Sequence, residues 1–274
     1  MDVETQSLLD SAHDHRGSIK SVTTTLDEAI IATGGRDGKV FFYDPRQGLG
    51  KPLGDFMFSQ KKFCPEIKRA NTSSAQKPVS QLPQVTGAAF FKQFLLLVVE
   101  SLSDKITLLD IRKLGSKTSS MVNGQVDNAY YKKTFGDPCA SNKGNSSIRV
   151  RGHQMLVNSQ DNMVNLYDMQ DLLSRPPRRF HGHRSSKEFY GKHHITNCLV
   201  KAGFGLNDRY IVSGSEDGLV YLWDIKLGAL AGTLGSRQSK FGHLNEVNEV
   251  ATIGNDTVVS ASDDMSVIVW SLFQ

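Results

Sequence analysis

Serine, histidine and aspartate recur together along this 274-residue chain. That trio can supply a nucleophile, a base and an orienting carboxylate. One set is His183, Ser213 and Asp217; another is His243, Ser260 and Asp264; a third, with threonine, is His15, Thr33 and Asp37. A hydrolase needs one such set, placed once. A set that returns with a repeated strand pattern belongs to the pattern, so the residues point to structure and no catalytic residue is assigned. A second recurrence bears on binding. Tyr43-Asp44-Pro45-Arg46 and Leu109-Asp110-Ile111-Arg112 both run from a large residue through Asp to Arg. A guanidinium holds its donors in a fixed fork that suits carboxylates and backbone carbonyls of a partner.

The elements that must carry these residues are short. Five segments fall on one template: IIATGGRDGKVFFYD (30–44), VVESLSDKITLLD (98–110), MLVNSQDNMVNLYD (155–168), YIVSGSEDGLVYLWD (210–224) and VVSASDDMSVIVWS (258–271). Each has a β-branched or apolar strand, a small-residue turn with Asp, a second strand and a closing large residue. Apolar alternation over such runs predicts strands, and the Gly/Asp/Asn clusters between them predict hairpin turns. The fourth segment ends in Trp223-Asp224, the dipeptide for which WD40 repeats are named. The chain resembles a WD40 β-propeller over nearly its whole length, which implies an all-β fold with five recognisable blades. The resemblance also gives the Ser/His/Asp sets a role. In such blades a His before the first strand, a Ser or Thr on the second, an Asp in the turn and a Trp on the third form a buried hydrogen-bond network. His183, Ser213, Asp217 and Trp223 would form it in the fourth blade, and His243, Ser260, Asp264 and Trp270 in the fifth. His15, Thr33 and Asp37 would form it in the first, where Tyr43 replaces the Trp.

The closing residues Tyr43, Leu109, Tyr167, Trp223 and Trp270 are separated by 66, 58, 56 and 47 residues. A WD40 repeat needs only ~40–45 residues, so insertions are expected at 51–84, 113–145 and 171–194, as surface loops. The third insertion holds Arg175, Arg178, Arg179, Arg184, Lys187 and Lys192 against Asp171 and Glu188. Its charge equals the +4 of the whole chain. It reads either as a solvated loop or as a basic patch for an acidic protein surface or DNA phosphates. Residues 1–12 precede the first repeat, and 5–9 could add a closing outer strand to the last blade.

Other chemistries find little support. Cys64, Cys139 and Cys198 are far apart, an odd count with no C-x-x-C, so neither a disulfide framework nor a metal site is expected. The stretch GGRDGK (34–39) lacks the spacing of a phosphate loop and sits on a hairpin. No apolar run approaches ~18 residues, so no membrane span is expected. The N-terminus lacks the charged and apolar regions of a secretory signal.

The first repeat, HRGSIKSV…ATGGRDGKVFFYDPR, resembles the denticleless-type substrate receptors of cullin-4 RING ubiquitin ligases. So do the Lys- and Ser-containing insertion after the first Asp-x-Arg, the DIRK ending at 110–113, and the segment MVNLYDMQDL…RRFHGHR…FYGK (163–192). The resemblance implies a non-catalytic module without cofactor, nuclear with a cytoplasmic location as the alternative, one that docks a ligase adaptor and presents replication and cell-cycle proteins bound to the sliding clamp PCNA. Asp44, Arg46, Asp110 and Arg112 would form the adaptor-binding motif. The family has seven blades and the likeness begins near its third, so two upstream repeats are expected to be missing here. The alternative is a generic WD40 scaffold in a chromatin or RNA-processing complex.

Overall fold

The run LLLVVE has no polar alternation, and a strand of that kind needs cover on both faces. The structure, a computed structural model, provides it. Leu96 and Val98 enter one apolar layer while Leu97 and Val99 enter the next. The structure describes residues 7–58, 83–113, 121–122, 125–126, 131–135, 144–160, 163–170, 177–180, 200–205, 207–235 and 242–272.

Among the described residues, five antiparallel sheets of three or four strands follow one another along the chain. The first runs β1 (Ile19–Thr24), β2 (Ile31–Gly35), β3 (Lys39–Tyr43) and β4 (Gly54–Met57). The second has β5 (Val85–Lys92), β6 (Leu95–Glu100) and β7 (Ser103–Asp110). A 3-10 turn at Ile111–Lys113 and a small hairpin of β8 (Met121–Val122) and β9 (Gln125–Val126) then lead to its outer strand β10 (Tyr131–Phe135). The third has β11 (Asn145–Arg151), β12 (Gln154–Ser159), β13 (Met163–Asp168) and β14 (Arg178–Phe180). The fourth has β15 (Ala202–Gly205), β16 (Tyr210–Ser213), β17 (Val220–Asp224) and β18 (Ala229–Leu234). The fifth has β19 (Val247–Ile253), β20 (Thr257–Ser262) and β21 (Val267–Ser271). Each first strand packs on that of the next sheet: β1 on β5, β5 on β11, β11 on β15, β15 on β19. The sheets are therefore the blades of an all-β propeller.

The core lies between blades rather than within them. Phe42 and Val40 of the first blade meet Val85 and Leu96 of the second. Leu97 and Ile106 meet Ile148, Met155 and Val157 of the third. Leu156, Val164 and Phe180 meet Ile211, Tyr221 and Trp223 of the fourth. Val212, Val220 and Leu222 meet Val247, Val250 and Val258 of the fifth. An inner blade thus presents one residue parity to each neighbour, as face-to-face sheet packing requires.

Two expectations change. Each expected insertion contains its blade's outer strand: β4 lies in 51–84, β10 in 113–145 and β14 in 171–194. These strands read as loop because a sheet edge buries little. In β18 nearly every residue is exposed, and in β14 only Phe180 is buried. The N-terminus is also placed differently. Residues 7–9 belong to no strand, and the fifth sheet has three strands among the described residues. The segment that follows is tied to the first blade instead. Asp10 accepts the Leu49 backbone N–H, Tyr43 donates to Asp14, and His15 packs edge-on against Phe41. Residues 5 and 6 lie outside the described residues.

The hairpin between the second and third strands repeats closely. Gly38, Gly218 and Met265 each follow a turn Asp, and each donates its N–H to the carbonyl three residues back at 3.2 Å. Their φ angles are 75°, 79° and 64°. Glycine takes this left-handed conformation freely, whereas a side chain resists it. Met265 is almost wholly exposed and so loses no burial on truncation. Met265→Gly is expected to stabilise the chain by about 0.5–1 kcal/mol, measured by urea denaturation.

Candidate functional site

The fifth blade builds its polar network in full. Trp270 Nε1–H donates to Ser260 Oγ at 2.8 Å, and Ser260 Oγ lies 2.7 Å from His243 Nε2. With the serine oxygen accepting from Trp270, its own proton points to Nε2, which leaves Nδ1–H to donate to Asp264 at 3.1 Å. Burial raises the Asp264 pKa, but hydrogen bonds from Ser266, the Leu244 N–H and His243 outweigh it and hold the carboxyl below its ordinary range. In the first blade His15 lies 2.9 Å from Thr33 Oγ1 and 3.0 Å from Asp37. Tyr43 reaches past this pair and donates to Asp14, a partner that the repeat template does not contain. In the fourth blade Asp217 accepts from Tyr221 Oη at 2.8 Å, and Ser213 Oγ donates to the Gly214 carbonyl at 3.0 Å. Trp223 stacks on Tyr221 with centroids 5.7 Å apart. His183 lies outside the described residues. Ser260 and His243 are buried inside the blade beside a half-buried Trp270, which walls the serine hydroxyl off from substrate, so these sets are clamps on the turn.

The rim at the C-terminal ends of the third strands is different in kind. Asp44 directly follows β3 and is buried, while the Arg46 side chain is 71% exposed. Arg46 folds back on its own aspartate: Nε donates to Oδ1 and Nη2 to Oδ2, both at 2.9 Å. The Arg46 backbone N–H adds a third bond to Oδ1, and Gln47 Nε2 a fourth to Oδ2. Asp110 at the end of β7 holds Arg112 in the same way. Nε donates at 2.9 Å, Nη2 donates to the other oxygen, and the backbone N–H donates at 3.2 Å. The Arg112 side chain is 59% exposed. The sequence predicts an Asp that anchors the turn and an Arg that projects. The structure joins the two functions: the Asp grips one edge of each guanidinium, and its remaining N–H groups face solvent. The third blade has the same turn with Gln170, whose N–H bonds Asp168, and no guanidinium comes from that position.

The Arg46 guanidinium, opposed by desolvation, pulls the Asp44 carboxyl down to about 2. A carboxyl whose folded pKa is depressed contributes stability above its unfolded value near ~3.9, and loses it as pH falls toward the folded one. The stability difference between the parent and Asp44→Asn is expected to be constant above about pH 5, to shrink as pH falls, and to lose its pH-dependent part only below the folded value, by about pH 1. Urea titrations across that range measure it.

The basic insertion divides. Arg178 and Arg179 sit on β14, opposite Leu166 and Asn165 of β13. Arg178 leans over the Phe180 ring at 5.7 Å, so it lies across the strand rather than on a loop. Arg175, Arg184, Lys187 and Lys192 lie outside the described residues, as do the three cysteines. Among the described residues no group of three or more His, Cys, Asp or Glu could hold a metal ion, and no helix is long and apolar enough to cross a membrane.

Sequence reasoning missed Asp14, Tyr221 and a further rim arginine, Arg209. The first two are ordinary polar residues that only the packing of a particular blade recruits. Arg209 stands far from the aspartate it serves.

The WD domain, G-beta repeat family matches residues 6–44, 175–224 and 235–271. Over 99% of its length the chain is 28% identical to Denticleless protein homolog of Danio rerio, covering 40% of that protein. It is 25% identical to Denticleless protein homolog of Homo sapiens over 99% of this chain and 36% of that protein. It is 27% identical to Protein lethal(2)denticleless of Drosophila melanogaster over 96% of this chain and 33% of that protein. The chain thus spans well under half the length of these relatives. A solved structure titled "Structure of U3-55K" matches with a TM-score of 0.61 at 15% identity, covering 94% of this chain and 63% of that chain. That likeness concerns the fold.

Proposed function

We propose that this chain, a WD40-repeat β-propeller protein that resembles the denticleless type, is the non-catalytic substrate-recognition part of a cullin-4 RING ubiquitin ligase. It docks the ligase adaptor through Asp44–Arg46 and Asp110–Arg112. It presents replication and cell-cycle proteins, bound to PCNA on chromatin, and it works in the nucleus. The observation that carries the reading is the matched pair of guanidinium forks on adjacent blades. Each is clamped by a carboxylate at the end of a third strand and is more than half exposed. A long side chain normally loses rotamer freedom when a partner grips it. Here the fork is already ordered, which lowers that cost. The Asp–Arg pair is nearly neutral, so the free N–H groups act as directed donors to carbonyls and carboxylates rather than as a source of long-range attraction. The similarity to Denticleless proteins along nearly the whole chain supports the same reading.

The test is direct binding. The purified chain is immobilised and exposed to purified cullin-4 adaptor, with an unrelated WD40 protein as control. Saturable retention of the adaptor by this chain alone is the expected result. No retention would overturn the proposal.

A further inference from the structure

The register of the blades places an arginine that the Asp-x-Arg spacing cannot reveal. Four backbone bonds close the second strand against the residue after the third: Ile111 N–H to the Phe94 carbonyl, Met169 to His153, Ile225 to Arg209, and Leu272 to Asp256. Phe94, His153, Arg209 and Asp256 therefore occupy one position in four successive blades, immediately before the second strand. Arg209 is the arginine among them. Its Nε donates to Asp224 Oδ2 at 3.1 Å, and the Leu227 N–H bonds the other oxygen at 2.9 Å. The Asp224 side chain is 5% exposed and that of Arg209 is 64% exposed, the pattern of the two Asp-x-Arg pairs. The guanidinium also lies 5.1 Å over the Tyr210 ring, a second restraint on its position.

The turn that carries Arg209 is itself held. Asn207 and Asp208 have φ angles of 58° and 61°, a costly conformation for two consecutive residues with side chains. Arg151 of the third blade pairs with Asp208 at 2.7 Å and pins the turn to its neighbour. Asp44, Asp110 and Asp224 all stand at the ends of third strands, so the three guanidinium groups share one rim of the propeller.

We propose that Arg209 is a third docking guanidinium, and that the partner's footprint runs from the first two blades to the fourth. The partner surface this rim fits offers carboxylates and backbone carbonyls at two separated places. The proposal rests on the docking reading above. Its test uses the intact chain and the purified cullin-4 adaptor, comparing dissociation constants of the parent, Arg209→Ala, Arg209→Lys and the double variant Arg46→Ala/Arg112→Ala. Arg209→Ala is expected to weaken binding about tenfold. Arg209→Lys keeps a cation for Asp224 and hence the turn, but loses the fork, and is expected to weaken binding at least about threefold with an unchanged melting transition. Parent-like binding by a folded Arg209→Ala protein, while the double variant fails to bind, would overturn the third contact and leave the first two standing. If the alanine variant does not fold, parent-like binding by Arg209→Lys overturns it. Parent-like binding by the double variant would remove the docking reading itself, and this extension with it.

Discussion

Replacing Arg46 and Arg112 together with alanine is expected to abolish adaptor binding while leaving the propeller folded. Interface arginines at the centre of a contact typically account for ~2 kcal/mol or more each, so the pair amounts to roughly a 1,000-fold loss. The fold should survive because neither carboxylate is stranded. Asp44 keeps the Arg46 backbone N–H and Gln47 Nε2, and Asp110 keeps the Arg112 backbone N–H. Both arginines are largely exposed, so alanine removes little packing. Titration calorimetry against the adaptor, alongside thermal melting, separates the two effects. Parent-like affinity in a folded double variant would sink the docking assignment. Salt gives an independent check. Docking through near-neutral Asp–Arg pairs should weaken only modestly between about 0.05 and 0.2 M salt, whereas a DNA-binding patch with 6–10 phosphate contacts would lose about 10³–10⁵ in affinity over that range.

Trp223→Ala is expected to cost about 3–5 kcal/mol, a large share of the ~5–15 kcal/mol that holds a typical domain. Trp223 is 1% exposed and is the largest side chain in the layer between the third and fourth blades. It stacks on Tyr221 and meets Phe180 at 6.4 Å. Deleting the indole leaves a cavity bounded by two sheets, and sheets cannot relax inward as a single side chain can. The damage should reach function, because this layer carries β14 on one side and the Asp224–Arg209 turn on the other. A fall in melting temperature of about 10 °C is the expected reading. A destabilisation below about 1 kcal/mol would show that the seam is not the cohesive unit described.

The networks and the rim were legible to different degrees. His243, Ser260, Asp264 and Trp270 could be named from the resemblance to WD40 blades, since the fold repeats the same backbone bonds and so repeats the residues that serve them. Tyr43 stands where the template has Trp, and its hydroxyl finds Asp14, which depends on where the N-terminal segment lies. Outer strands such as Gly54–Met57 and Arg178–Phe180 are indistinguishable from insertion in the sequence, because an edge strand leaves no periodic apolar signal. Met265 shows the converse: three equivalent turns demand a left-handed residue, and the sequence there offers no glycine.

The sequence by itself determined the repeat, hence the blades, and the two Asp-x-Arg endings. Both follow from short-range order: strand alternation, turn residues and a carboxylate two positions before its arginine. The tertiary structure decided that each rim Asp grips its Arg rather than releasing it, and that the N-terminal segment is tied to the first blade. It also decided that Arg209, fifteen positions before Asp224, stands beside it. The physical reason is register. Antiparallel pairing brings residues distant in the chain to one rung, and spacing along the chain carries no record of which rung that is.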